Sequence, residues 1–177
     1  YPENCSKFLA QAVSSIQNSL ALFTPLGAYP EGPGYYRIGS EFSAIYFETM
    51  RSVLGTDFGL SDLPGVRESA KYLLAANGYV KTFNFGDCGD TLYDGAMLHW
   101  YANRYNMPEL SVYQRGMQAR NGEVMDDVLS LLWYDPTLVE GYSSSDRQLD
   151  YLMYSDEYQS IASFRSFDAD PAQVYAA

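Results

Sequence analysis

The stretch SEFSAIYFETMRSVLG, residues 40–55, carries the sequence pattern of an amphipathic helix. Ser40 is a good N-cap residue, and the acidic Glu41 favours the first turn of a helix. Gly55 supplies a typical stop, because glycine readily adopts the left-handed conformation that ends helices. The apolar side chains at helical spacing are Phe42, Ile45, Tyr46, Met50 and Val53. This stretch therefore predicts a helix with one apolar face.

Five other stretches repeat this helical periodicity, at 8–23, 62–77, 97–105, 108–117 and 124–132. Pro25 ends the first of them and Gly78 closes the second. Residues 80–85 read as a short extended stretch, and beyond Pro136 two further segments, 149–154 and 158–167, are typical of extended chain. Six helices in antiparallel succession predict an all-α domain over residues 1–140, with a linker and extended segment over 141–177.

Composition excludes several classes of protein. The 177 residues are 47% hydrophobic, which is enough for a core and rules out wholesale disorder. The formal charge of -11, from 22 acidic and 11 basic residues, opposes binding to a phosphate backbone, so we expect no nucleic-acid partner. No apolar run approaches the ~20 residues that span a bilayer, so we expect no membrane partner.

The cysteines and the histidine do not predict a metal site. Cys5 and Cys88 are far apart in sequence, and His99 is the single histidine of the chain. A zinc site built from these residue types is therefore not expected, and neither is a cofactor. The two cysteines allow either one disulfide or two buried thiols, and we favour the disulfide. For His99, which lies in a helical pattern, we expect a packed or surface position rather than a catalytic role.

The segment AYPEGPGYYRIG, residues 28–39, is rich in glycine, proline and tyrosine and predicts an ordered loop. It resembles the signature loop of the heparinase II/III-like polysaccharide lyases. The likeness continues through LGTDFGL at 54–60, LPG at 63–65 and FNFGD at 83–87, in the same order. The resemblance covers roughly residues 1–90. It implies a partial α/α toroid, followed from about residue 141 by the start of a β-sandwich domain, in the periplasm or at the cell surface of a glycan-degrading bacterium.

The resemblance also implies a reaction, β-elimination at a uronic acid in an acidic polysaccharide. A base removes the C5 proton, the group on C4 leaves, and the uronate carboxylate must be neutralised. A tyrosine can give a proton to the leaving oxygen or, as phenolate, accept one. By its place after Glu-Gly-Pro-Gly, Tyr35 matches the catalytic tyrosine of the family, and Tyr36 is the alternative.

Four further residues are candidates for substrate binding. The guanidinium of Arg37 suits a bidentate grip on a uronate carboxylate, although a salt bridge to a nearby glutamate is an equally good reading. Glu31 fits better as an organiser of its loop than as a catalyst. Asn84 and Asp87 line the cleft in this interpretation, whereas local turn formation is the structural alternative.

Two other classes of function stay open beside the lyase. One is a helical scaffold or glycan-binding module without catalysis, and the other is a glycoside hydrolase with two carboxyl groups. A positive surface around Tyr35, Arg37 and Arg51 would favour the lyase, whereas an acidic one would favour the alternatives. In the family the carboxylate neutraliser precedes the tyrosine by fifty-odd residues, so we expect this chain to be inactive alone. We also expect self-association through the exposed edges of a partial toroid.

Overall fold

The computed structural model describes residues 2–121, 127–143, 150–155, 160–165 and 175–176, and these are mostly helical. The mostly helical structure confirms the predicted all-α class of the main body, whereas the toroid stays a prediction. The α-helices are α1 (Pro2–Leu20), α2 (Pro33–Leu54), α3 (Val66–Ser69), α4 (Tyr72–Ala76), α5 (Met97–Tyr105), α6 (Pro108–Asn121), α7 (Val128–Trp133) and α8 (Pro136–Val139), with 3-10 helices at Ala21–Phe23 and Leu60–Asp62.

The helix α2 begins seven residues earlier than the sequence pattern predicts. Gly32 precedes it with a φ of 89°, and Pro33 occupies the first turn. Proline fits this position because its fixed φ is already helical and its missing N–H would have no partner there. The predicted loop is therefore wrong for residues 33–39. Gly55 ends α2 as expected, with a φ of 75° and its N–H donated to the carbonyl of Arg51.

The predicted helix over 62–77 is divided into three short elements, a 3-10 helix followed by α3 and α4. Gly65 precedes α3 with a φ of 83°, and a Cβ there would lie 2.0 Å from the carbonyl oxygen of Phe23. This close approach locks α3 against the end of the first helical segment. The following helix α4 is buried along its whole length and forms the centre of the core.

After residue 141 the described residues form an antiparallel sheet of β1 (Tyr151–Tyr154), β2 (Ser160–Arg165) and β3 (Tyr175–Ala176), while residues 149, 158–159 and 166–167 of the predicted extended segments lie outside the described residues. The sheet order is β1-β2-β3, and Tyr151 and Met153 point into the same core as the helices. The amide of Leu26 donates to the carbonyl of Tyr154 at 3.0 Å and joins the sheet to the helical body. Residues 80–85, predicted as extended, contain no strand and make only an isolated bridge at Thr82.

The predicted disulfide between Cys5 and Cys88 is wrong, because both cysteines are free thiols. Cys5 lies exposed on α1. Cys88 is half-buried beside Gly34, and its thiol lies 3.1 Å from the carbonyl oxygen of Phe85. Among the described residues, no helix is long and apolar enough to cross a membrane.

Candidate functional site

The first and last of the resembling segments pack directly against each other. A Cβ at Gly32 would lie 2.4 Å from the carbonyl oxygen of Phe85, and one at Gly86 would lie 2.9 Å from that of Glu31. Both glycines have positive φ, so the turn at 29–34 and the segment at 83–88 fit together only because side chains are missing there. The structure therefore brings Glu31 and the segment that carries Asn84 and Asp87 into one neighbourhood.

Glu31 contacts its own turn through the side chain of Tyr29. Its carboxylate accepts a hydrogen bond of 3.1 Å from the hydroxyl of Tyr29. Burial, together with the negative charge of Glu31, raises the pKa of Tyr29 to about 12. The backbone carbonyl of Tyr29 also accepts a 3.0 Å bond from the buried Tyr72. These contacts fix the turn in front of α2.

The two candidate tyrosines occupy opposite environments. Tyr36 is fully buried, and its hydroxyl donates to the backbone carbonyl of Ser69. Its ring packs against that of Tyr72 at 4.6 Å, and burial raises its pKa well above the ordinary value. Tyr35 is 44% exposed. Successive residues of a helix point about 100° apart, so only one of the two rings can face the core while the other reaches solvent.

Arg37 belongs to a different surface from Tyr35, a polar cleft of about 360 Å³. Its Nε donates to the backbone carbonyl of Asp94 at 2.6 Å. The carboxyl groups of Glu41 and Asp94 share the cleft, and burial raises the pKa of both although the charge of Arg37 opposes the rise. Neither Tyr35, Glu31, Asn84 nor Asp87 lines it, which separates Arg37 from the other candidates.

The middle resembling segment, LGTDFGL, has a structural role. Asp57 is 3% exposed and accepts hydrogen bonds from the hydroxyl of Ser61 at 2.5 Å and from the amide of Gly59 at 3.0 Å. Burial acts to raise the pKa of Asp57, but these bonds outweigh it and hold the pKa below its usual value. Arg51 lies 3.8 Å from the same carboxylate. The cleft of Arg37 is lined by three carboxyl groups, whereas the groove that Arg51 lines holds Arg51 and Arg104 beside the single carboxyl group of Glu48.

The remaining candidates are exposed or buried without a shared cavity. Asn84 and Asp87 are exposed on the segment that packs against Glu31. His99 is fully buried, with its Nδ1 at 2.9 Å from the hydroxyl of Ser111, so it takes the packed one of the two expected positions. No group of histidine, cysteine or carboxylate side chains in the described part of the chain could hold a metal ion.

Sequence reasoning missed most of the polar cleft. Its lining residues from separate segments are Glu41, Asp94, Gln114, Gln118 and Asp127. Glu41 entered the sequence interpretation as a first-turn residue and, with Glu31, as a possible salt-bridge partner of Arg37, and the others matched no motif. Because they come from α2, the approach to α5, α6 and the start of α7, only the packing of these elements reveals the site.

Comparison with known proteins does not identify the chain. No protein-family model matches its sequence, and no curated protein matches it. The resemblance to heparinase II/III-like lyases therefore stays a prediction from the short motifs between residues 28 and 87. A function can therefore be proposed only from the positions and contacts of the residues.

Proposed function

We propose that this chain is part of a polysaccharide lyase that cleaves uronic-acid-containing glycans by β-elimination, with Tyr35 as its reactive tyrosine. The observation that carries the proposal is the exposure of Tyr35 beside the interlocked 29–34 and 83–88 segments. Tyr36 is unsuited to the reaction because its hydroxyl is engaged by Ser69 in the core. The choice between the two tyrosines therefore falls on Tyr35.

The backbone that carries Tyr35 has a defined helical conformation. Tyr35 lies in the first turn of a 22-residue helix whose start is set by Gly32 and Pro33. Catalytic groups gain from being held in place before the substrate arrives. In the proposed reaction a base removes the C5 proton, the C4–O bond breaks as the C4=C5 double bond forms, and the phenol of Tyr35 protonates the leaving oxygen.

Arg37 does not fit the role of carboxylate neutraliser in this proposal. Its Nε is bound to the carbonyl of Asp94, and the carboxyl groups of Glu41 and Asp94 share its cleft. A uronate that approached Arg37 would meet like charge from both groups. A residue other than Arg37 must therefore neutralise the uronate carboxylate. The α/α toroid and the periplasmic or cell-surface location belong to the same proposal.

The test compares two conservative variants in the full-length protein, with ultraviolet absorbance of the unsaturated uronate product as the assay on several uronans. We expect Tyr35→Phe to abolish product formation while the free energy of unfolding changes by less than about 0.5 kcal/mol, because only an exposed hydroxyl is removed. The matched variant Tyr36→Phe should lower that free energy by about 1–3 kcal/mol, since it leaves the carbonyl of Ser69 without its donor. Full activity of Tyr35→Phe would contradict the proposal.

A glycan-binding module without catalysis is the second candidate. Two exposed rings, Tyr35 at 44% and Phe83 at 37%, are carried by neighbouring segments and suit stacking on sugar faces. The acidic surroundings of Arg37 also favour this reading over uronate chemistry. A binding module would retain glycan affinity in Tyr35→Phe, which keeps the ring, and lose it in Tyr35→Ala, with no unsaturated product from any variant.

A further inference from the structure

The polar cleft beside Arg37 has the size and lining of a small-ligand site. It lies between α2, the residues that precede α5, α6 and the start of α7 and holds about 360 Å³. This volume falls within the range that small-molecule sites occupy. A Cβ at Gly95 would lie 3.2 Å from a carboxylate oxygen of Glu41, so the glycine leaves room for that carboxylate at the wall of the cleft.

Three hydrogen-bond donors at the cleft are directed towards the protein. The Nε of Arg37 donates to the carbonyl of Asp94 at 2.6 Å. The amide nitrogen of Gln114 donates to the carboxylate of Asp94 at 3.4 Å, and that of Gln118 donates to the hydroxyl of Ser130 at 3.3 Å. The lining also carries the two terminal nitrogens of Arg37, which can donate, but the carboxylates of Glu41, Asp94 and Asp127 outnumber this one guanidinium.

Gln118 provides the independent observation that points to a ligand. Its side chain lines the cleft and is only 2% exposed. Its Oε1 has no hydrogen-bond partner among the residues that the structure describes. Buried amide oxygens in proteins nearly always accept a hydrogen bond, so this atom calls for a donor.

The charges of the lining select the kind of donor. Three carboxylates, from Glu41, Asp94 and Asp127, face one guanidinium, that of Arg37. Arg37 forms no ion pair within 4 Å among the described residues, and its charge acts on both Glu41 and Asp94, so the single guanidinium leaves an excess of negative charge in the cleft. An ammonium group carries a positive charge and three donors with no acceptor, which complements this lining better than a neutral hydroxyl does.

We propose that this cleft binds the protonated primary amine of a small ligand, with Glu41, Asp94 and Asp127 supplying the charge and the Oε1 of Gln118 accepting one of its N–H groups. An amino sugar with a free amino group and an aliphatic diamine both carry this chemistry. The site does not depend on catalysis at Tyr35, so it stands or fails separately from the proposed lyase.

The first experiment follows the side-chain amide resonances of Gln114 and Gln118 by NMR while ligand is added to the full chain. We expect saturable shifts with glucosamine or with putrescine, and none with glucose, which differs from glucosamine by a hydroxyl in place of the amine. If glucosamine binds more tightly, the ligand that carries the amine is an amino sugar. If putrescine binds more tightly, that ligand is a diamine. Equal binding of glucose and glucosamine, or no saturable shift with either amine, would overturn the proposal.

The second experiment removes charge from the cleft with little change of shape. Glu41→Gln should weaken amine binding by about tenfold or more, since one close carboxylate is lost. Glu48→Gln is the matched control, because Glu48 lies on the same helix but lines a separate groove with Arg51 and Trp133. Asp94→Asn provides a second variant should Glu41→Gln fold poorly. Unchanged amine affinity in both cleft variants would refute the site.

Discussion

The buried imidazole of His99 makes the stability of this protein depend on pH in a way that can be calculated. His99 lies in α5 with no exposed surface, its Nδ1 meets Ser111, and its ring lies 5.2 Å from that of Tyr134. Its Nε2 has no hydrogen-bond partner within the described part of the chain. Burial, assisted by the positive charge of Arg115, lowers the pKa of His99 to about 4.

The sign and size of the effect follow from this depressed pKa. An unfolded histidine has a pKa of about 6.5, so in weak acid the unfolded chain binds a proton that folded His99 does not. The stability that neutral His99 contributes is therefore complete above about pH 6.5 and is lost as the pH falls towards about 4. Between about pH 7.5 and about pH 5, the free energy of unfolding should fall by about 2 kcal/mol from this residue alone.

Two carboxyl groups change the free energy of unfolding with pH in the opposite direction to His99. A variant that lacks the imidazole is therefore needed to separate the contributions. Glu41 and Asp94 have raised pKa values, so each contributes stability in acid that is lost as the pH rises. Urea unfolding at both pH values should be measured for the natural sequence and for His99→Gln, because their difference isolates the imidazole. We expect the variant to lack the loss of about 2 kcal/mol.

NMR gives a direct check, since His99 is the single histidine of the sequence and its ring protons can be assigned without ambiguity. In the folded protein these resonances should stay unchanged as the pH is lowered through about 6.5. A folded-state titration near that value, or the same pH dependence of unfolding in His99→Gln, would refute the reasoning.

Two other predictions concern packing. A Cβ at Gly65 would lie 2.0 Å from the carbonyl oxygen of Phe23, and the φ of Gly65 is 83°. Gly65→Ala should therefore lower the free energy of unfolding by at least about 3 kcal/mol. Gly116 faces open space on α6, so Gly116→Ala should raise the free energy of unfolding by about 0.5–1 kcal/mol. Urea unfolding of both variants tests this contrast. Phe42 and Leu132 are 68% and 70% exposed, so we expect concentration-dependent self-association in light scattering, reduced in Phe42→Ser and Leu132→Ser. A strictly monomeric protein at high concentration would contradict the second prediction.

The sequence predicted helix ends correctly where a single glycine or proline determines the backbone conformation. Gly55 ends α2 in the left-handed conformation, and Pro108 begins α6, as the pattern indicated. The start of α2 was missed because the prolines and glycines of residues 27–39 are typical of loops, although Pro33 is equally suited to a first turn. The resemblance favoured Tyr35 and left Tyr36 as the alternative; the helix adds that the ring of Tyr36 is buried while that of Tyr35 is exposed.

The polar cleft could not be predicted because it depends on long-range packing. Asp94 and Gln118 carry no motif, and nothing in their spacing shows that they approach Glu41. The burial that raises the pKa of Asp94 is likewise a property of the assembled helices. Short motifs report local turns and helix ends, whereas a cleft between α2, α6 and α7 appears only when those helices are in place.

The hydrogen bond between the amide of Leu26 and the carbonyl of Tyr154 affects the order in which the chain folds. The two residues belong to segments that leave a ribosome far apart in time, and the core residues Tyr151, Met153 and Ile161 arrive later than every helix they cover. Contacts of such long sequence separation carry a large loop-closure entropy and slow the final step of folding. The side of α4 that contacts β1 and β2 can therefore be covered only after these late segments of the chain have been made.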